Sequence, residues 1–150
     1  MDQTMLGTLN NEQIEELLRE ECIGRIGCRD GDSVYVVPVT YVHVGGSLFC
    51  HSAEGRKIRL MRQHPQVCVE VDRMQDMANW QSVIAQGRFV ELHGDEARQG
   101  MRKLVERLLP LMPSTTAHPG EGGHAHDVSG LHAVAFRIDL AEKSGRFEQR

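Results

Sequence analysis

The chain has 150 residues, a formal charge of −4 and a pI near 6.0, which gives room for one domain with a closed core. The sign of the charge argues against general attraction to nucleic acid or anionic membrane. Aromatic residues make up only 5% of the chain, so aliphatic side chains must fill the core.

In chain order, LNNEQIEELLREE predicts the first helix. Asn10 or Asn11 can cap it, and Ile14, Leu17 and Leu18 share one apolar face at i, i+3, i+4. From Cys22 the pattern changes to period two. CIGRIGCR predicts a strand that ends at Asp30-Gly31, a hairpin signal, and SVYVVPVTYVHV predicts a long strand after it. Pro38 inside that strand cannot donate to a ladder, so it marks an edge, a bulge or a place where something other than a strand lies alongside. Gly45-Gly46 turns the chain into SLFCHS. A short helix from about Gly55 to His64 is closed by Pro65, and QVCVEVDR is the next strand.

DMAN then turns the chain into WQSVIAQGRFVELH, a long strand in which Gly87 predicts a bulge or a close approach. DEARQGMRKLVERLL predicts a helix with Asp95 and Glu96 at the positive end of its dipole. Residues 110–128 predict a long, flexible loop. LHAVAFRIDL and KSGRFEQ finish the chain as two strands. The whole, residues 1–150, predicts a single α+β domain: a mostly antiparallel closed or split β-barrel of six or seven strands with flanking helices.

Cys22, Cys28, Cys50 and Cys68 have no C-x-x-C spacing and sit among apolar or β-prone neighbours, as structural thiols do. The start, MDQTMLGTLN, lacks the regions of a signal peptide, and no apolar run approaches membrane-spanning length. The expected compartment is a reducing cytoplasm.

HSAEGRK, residues 51–57, concentrates donors between a strand and a helix. A helix starting near Gly55 offers free backbone N–H groups and the positive end of its dipole. Ser52 adds a hydroxyl, His51 an imidazole edge, Arg56 a fork and Lys57 a compact charge. Gly55 permits backbone angles that a Cβ would resist. Lys57 is one of only three lysines, with Lys103 and Lys143. The pattern suits a phosphate, although by itself it leaves open a solvated polar connection.

The ordered set GRIGC, DG, VYVVPVTYVHVGGSLFCHSAEGRKIRLMRQHPQVCVEVD, WQSVIAQGRFVEL and FRIDLAEKSGRF resembles the pyridoxamine 5′-phosphate oxidase-like FMN-binding split-barrel family, nearest the branch with the nitroimidazole resistance proteins. The resemblance spans about Cys22 to Phe147 and implies a homodimer with FMN in two interface clefts. It implies that Val39, Thr40 and Tyr41 line the flavin ring, largely through backbone, and that His51, Ser52, Arg56 and Lys57 hold the phosphate. Ser82 and Val83 would reach the ring from the other subunit. The implied activity is an FMN-dependent oxidoreductase that takes electrons from a nicotinamide or similar donor and reduces a small acceptor, nitroaromatics among them. The C-terminus, EKSGRFEQR, lacks the arginine and histidine pair with which full pyridoxamine phosphate oxidases hold their substrate, Arg146 being the one stand-in. This counts against vitamin B6 oxidation and leaves flavin binding intact.

Several other residues carry two readings each. His51 could donate a proton beside the flavin or only hold the phosphate. Trp80 and Tyr41 could edge the cofactor or pack the barrel. Arg25 and Arg88 read as rim charges and His64 as a helix-end cap. His118, His124 and His126, with Glu121 and Asp127 nearby, lie on a Gly-rich loop without a rigid scaffold, so no metal is expected there and a lid over the cleft is an alternative. Haem binding through that loop, or a flavin-carrying sensor without turnover, are the other functions the sequence allows.

Overall fold

A computed structural model describes residues 3–112 and 133–150. Its elements are β1 (Met5–Thr8), α1 (Asn11–Glu20), β2 (Ile23–Asp30), β3 (Ser33–Thr40), β4 (Val42–Val44), β5 (Ser47–Ser52), α2 (Arg56–Gln63), β6 (Gln66–Asp76), β7 (Asn79–Glu91), α3 (Gly94–Leu108) and β8 (Val134–Gln149), with a 3₁₀ turn at Leu109–Leu111. All the strand pairs are antiparallel, in the order β3-β2-β6-β7-β8-β5-β4, and β1 adds to β8.

That order explains the shape. The two ends of the sheet, β3 and β4, are separated in the chain by Tyr41 alone. The sheet must therefore curl until its edges meet at that residue, which makes a split barrel. Tyr41 is wholly buried, and its phenol donates to the Leu18 carbonyl at 2.9 Å. Its amide donates to the Cys22 carbonyl at 2.9 Å. The barrel corner is thus bonded both to the last turn of α1 and to the segment entering β2.

The barrel is filled from alternate strand positions: Ile26 and Cys28 on β2, Val67, Val69 and Val71 on β6, Val83 on β7, and Phe136 and Ile138 on β8. Helix α1 closes one end with Ile14, Leu17 and Leu18, and Asn10 forms a reciprocal capping box with Gln13. Gly87 meets the expectation on both counts. The β7–β8 register shifts between Ala85 and Gly87, and a Cβ at Gly87 would run into Ile138 Cγ2.

Two expectations change, and two readings are narrowed. The described residues form eight strands rather than six or seven, because β1 exists and the run SVYVVPVTYVHV breaks at Tyr41. The two C-terminal strands form one continuous strand, β8. Of the three readings of Pro38 the edge holds: it sits opposite Arg25 on β3, which pairs with β2 alone among the described residues. Gly55 has φ −175 and ψ −166, extended backbone that any residue adopts, so it has no need to be glycine.

Candidate functional site

The strand-to-helix connection is built by β5, which delivers His51 and Ser52, and by α2, which begins at once with Arg56 and Lys57. No side chain caps α2, and its first turn contains no acidic residue. Its leading N–H groups therefore keep their capacity for an acceptor. Lys57 forms no ion pair among the described residues, and its charge acts on His51, Cys28 and Cys50. Burial is the larger effect in all three. It pushes the Cys50 thiol up to about 12 and raises Cys28, so neither is a thiolate nucleophile. Burial and then Lys57 lower the His51 pKa, so the imidazole is neutral near pH 7. Its Nδ1 is buried without a hydrogen-bond partner.

An uncapped helix start, an ammonium without a carboxylate and an unpartnered ring nitrogen fit an anion such as the phosphate of a nucleotide. Arg56 is differently placed. Its guanidinium bonds Asp30 on the β2–β3 hairpin and stacks over Tyr35 at 4.3 Å, so it has partners already. Ser52 Oγ donates to the Ala53 carbonyl at 2.9 Å, and turning it toward an anion would cost only that exposed bond.

Thr40 and His51 lie on the wall of one cavity of about 1090 Å³ beneath α3. Its far wall is the stripe Met101, Leu104, Val105 and Leu108, at i, i+3, i+4, i+7 in the sequence. That signal was legible, and only the packing of α3 over β5 and β8 gives it a role. At one side of the cavity Arg62 joins Glu54 and Glu91, with contacts of 2.7 Å to each. Arg62 holds Glu91 below its usual range.

The remaining cofactor candidates divide by face. Val39, Tyr41 and Val83 point into the core at 7%, 0% and 1% exposure, so only their backbones are available to a ligand. The Tyr41 side chain therefore packs the barrel. Ser82 faces outward and donates to Glu70 Oε2 at 3.3 Å. Ser82 pairs with Arg146 and His51 with Ala135, both on β8; those partners lie far apart along the strand, at about 3.3 Å per residue, so one chain does not bring Ser82 and Val83 to His51 and Lys57. Trp80 donates from Nε1 to Glu148 at 3.0 Å, and Arg146 stands opposite Ser82 in the β7–β8 register.

Beside Ser82 lies a cluster that sequence reasoning did not pick out. Glu70 and Asp72 share Arg25, each at 3.6 Å, and Glu70 Oε1 is buried without a hydrogen-bond partner. Burial, then Asp72, pushes the Glu70 carboxyl up to about 7. Its only sequence signal was the alternation of acidic residues in VEVD. His118, Glu121, His124, His126 and Asp127, and the 110–128 loop beyond Met112, lie outside the described residues. No group of three or more His, Cys, Asp and Glu residues that could hold a metal occurs among the described residues.

A family model described as pyridoxamine 5′-phosphate oxidase matches residues 10–147. An uncharacterized protein of Rhizobium meliloti (strain 1021), RA0666, is 31% identical over 142 residues, 89% of this chain and 94% of its own. The crystal structure of an FAD-binding protein from Mesorhizobium loti superposes with a TM-score of 0.78 at 25% identity, covering 99% of this chain and all of the other. A candidate 5-nitroimidazole antibiotic resistance protein from Bacteroides thetaiotaomicron superposes with a TM-score of 0.69 at 14% identity, covering 98% of this chain and 92% of that one. At that identity the second likeness shows the shared fold. With its split barrel, a family match over residues 10–147 and a relative 31% identical over 89% of its length, the chain belongs to the pyridoxamine 5′-phosphate oxidase family.

Proposed function

We propose that this protein is a flavoprotein that holds FMN non-covalently and acts as an oxidoreductase toward a small acceptor, nitroaromatics included, with a nicotinamide or similar donor. The observation that carries this is the corner at the uncapped start of α2, where Lys57, without an ion pair among the described residues, acts by its charge on His51, whose Nδ1 is buried and unpartnered. Family membership supports it, as does the FAD-binding relative of 25% identity, since FAD contains the same phosphate-bearing flavin unit as FMN. The flavin would supply the redox chemistry.

The chain's own residues bind and orient. Lys57 and the α2 amides take the phosphate, Ser52 adds a donor, and Arg56 supplies positive field while held by Asp30. A neutral His51 offers Nδ1 to a hydrogen-bond donor or, protonated, donates from it. Val39, Thr40 and Tyr41 border the ring through backbone at the barrel's split. Ser82 and Val83, too far away within one chain, act in a second copy's cleft, so the working unit is a homodimer. Among the described residues no helix is long and apolar enough to cross a membrane, and four free thiols suit a reducing cytoplasm.

The test is FMN affinity by fluorescence quenching. Lys57→Ala should weaken binding by roughly 10- to 150-fold, the equivalent of about 1.5–3 kcal/mol for a charge-assisted hydrogen bond, while the unfolding midpoint stays put. Arg56→Ala should cost less, because its guanidinium is already bound to Asp30. Unchanged affinity in the Lys57 variant would remove the phosphate assignment.

A further inference from the structure

The cavity beneath α3 has a chemical character that the flavin proposal does not fix. One wall is the apolar stripe of α3, and Val105 on it stands 49% exposed. Leu109 and Leu111 extend the stripe at 47% and 57% exposure. The opposite wall offers Val134 and Ala135 around His51 and Thr40. Exposed apolar side chains gathered along one concave surface mark a binding surface more often than chance placement.

The charges at the rim decide what kind of ligand fits. Arg62 is taken up by Glu54 and Glu91, and Arg98 pairs with Asp95. Among the described residues both lining arginines are therefore compensated, and of the two lining histidines, His51 and His93, His51 is neutral near pH 7. With Lys57 taken up by the proposed flavin phosphate, a second phosphate or a carboxylate entering here would find no uncompensated lysine or arginine among the described lining residues, an expensive arrangement in an apolar enclosure. An uncharged ring system would replace water on apolar surface, at about 25 cal/mol per Å² buried. The volume, about 1090 Å³, is at the upper end of drug-sized sites.

We propose that this cavity binds an uncharged, mainly apolar small molecule, such as a quinone or another neutral aromatic, and that this is the acceptor class of the protein. The proposal rests on the flavin reading only for the word acceptor and for the occupation of Lys57: Thr40 and His51, which border the proposed flavin, are also part of the cavity wall. The binding itself stands on the cavity's own lining. Pyridoxal-type phosphate esters are the class it disfavours.

The experiment uses the full chain as purified, with the neutral dye Nile red as probe and menadione and pyridoxal 5′-phosphate as competitors. Two variants reshape the cavity. Ala97→Trp fills it, and Val105→Asp places a charge on its wall at a half-exposed position where folding should tolerate it. The expected result is saturable Nile red binding that menadione displaces and pyridoxal 5′-phosphate does not, weakened at least tenfold in both variants. Failure of wild type to bind the dye, equal displacement by the phosphate ester, or undiminished binding in the folded Val105→Asp variant would overturn the inference. Flavin content of the same samples is read separately. A protein that never carries flavin yet binds the dye as described sinks the flavin reading and keeps the cavity. A flavin-loaded protein indifferent to both variants does the reverse.

Discussion

Tyr41→Phe tests whether the residue at the barrel's split belongs to the core. The ring is wholly buried, and its hydroxyl donates to the Leu18 carbonyl at 2.9 Å. Leu18 lies in the last turn of α1, where carbonyls have no following helical amide to receive. Phenylalanine keeps the ring's packing but leaves that carbonyl without its partner. The cost is about 1–3 kcal/mol for a buried acceptor stripped of its donor. In a domain of this size that corresponds to a fall in Tm of roughly 3–10 °C. Urea unfolding should show a lower midpoint with the slope unchanged, since the exposed surface is the same. Burial raises the phenol far above its usual range, so the penalty should not vary between about pH 6 and 9. Flavin affinity should be preserved, because the side chain faces the core. A cost below about 0.5 kcal/mol, or loss of flavin at full stability, would refute the reasoning.

Two further outcomes follow from packing and charge. Gly87→Ala should destabilise the barrel by about 1–3 kcal/mol, because the new methyl meets Ile138 Cγ2 and lies near the Asp139 carbonyl; denaturant unfolding checks it, and a neutral result would mean that β7 and β8 can separate there. Glu70 sets a pH dependence. With its pKa raised to about 7, the native state takes up the proton before the unfolded chain does, so stability contributed by this group falls as pH rises from about 4.5 to 7. Asp76, Glu91 and Asp139 are lowered instead, and their contribution is lost only as pH falls below the ordinary carboxylate range. Glu70→Gln should therefore raise stability at about pH 8, by about 1 kcal/mol after screening of a side chain 31% exposed, and flatten the decline across neutrality. Identical Tm-against-pH curves for the variant and the wild type would contradict that.

Much of this architecture was readable because its signals are local. The Asn10 cap, the Ile14–Leu17–Leu18 face and the edge role of Pro38 each follow from a few neighbouring residues. β1 was not readable. MLGT is short and largely exposed, and it is a strand only because it pairs with Arg146–Gln149 at the far end of the chain. The break at Tyr41 was hidden because β-prone residues flank it on both sides, and closure of the sheet, not propensity, bends the chain there. Likewise β8 runs unbroken through Ala141 and Glu142 because β7 pairs along both halves.

The site divides in the same way. His51, Ser52, Arg56 and Lys57 lie in seven consecutive residues, so their cluster was legible. What each one touches was not. Asp30, which engages Arg56, comes from the tip of a hairpin, and the apolar wall over His51 comes from a helix folded back across two strands. The freedom that Gly55 permits goes unused, because the backbone there is simply extended.

The central claim is that the Lys57–His51 corner holds a flavin phosphate, and the most direct measurement is the absorption spectrum of the freshly purified protein, with mass identification of whatever it releases on denaturation. The account predicts the two-banded absorption of a bound flavin and release of FMN. A haem Soret band, or a colourless protein that takes up no FMN when it is supplied, would contradict it.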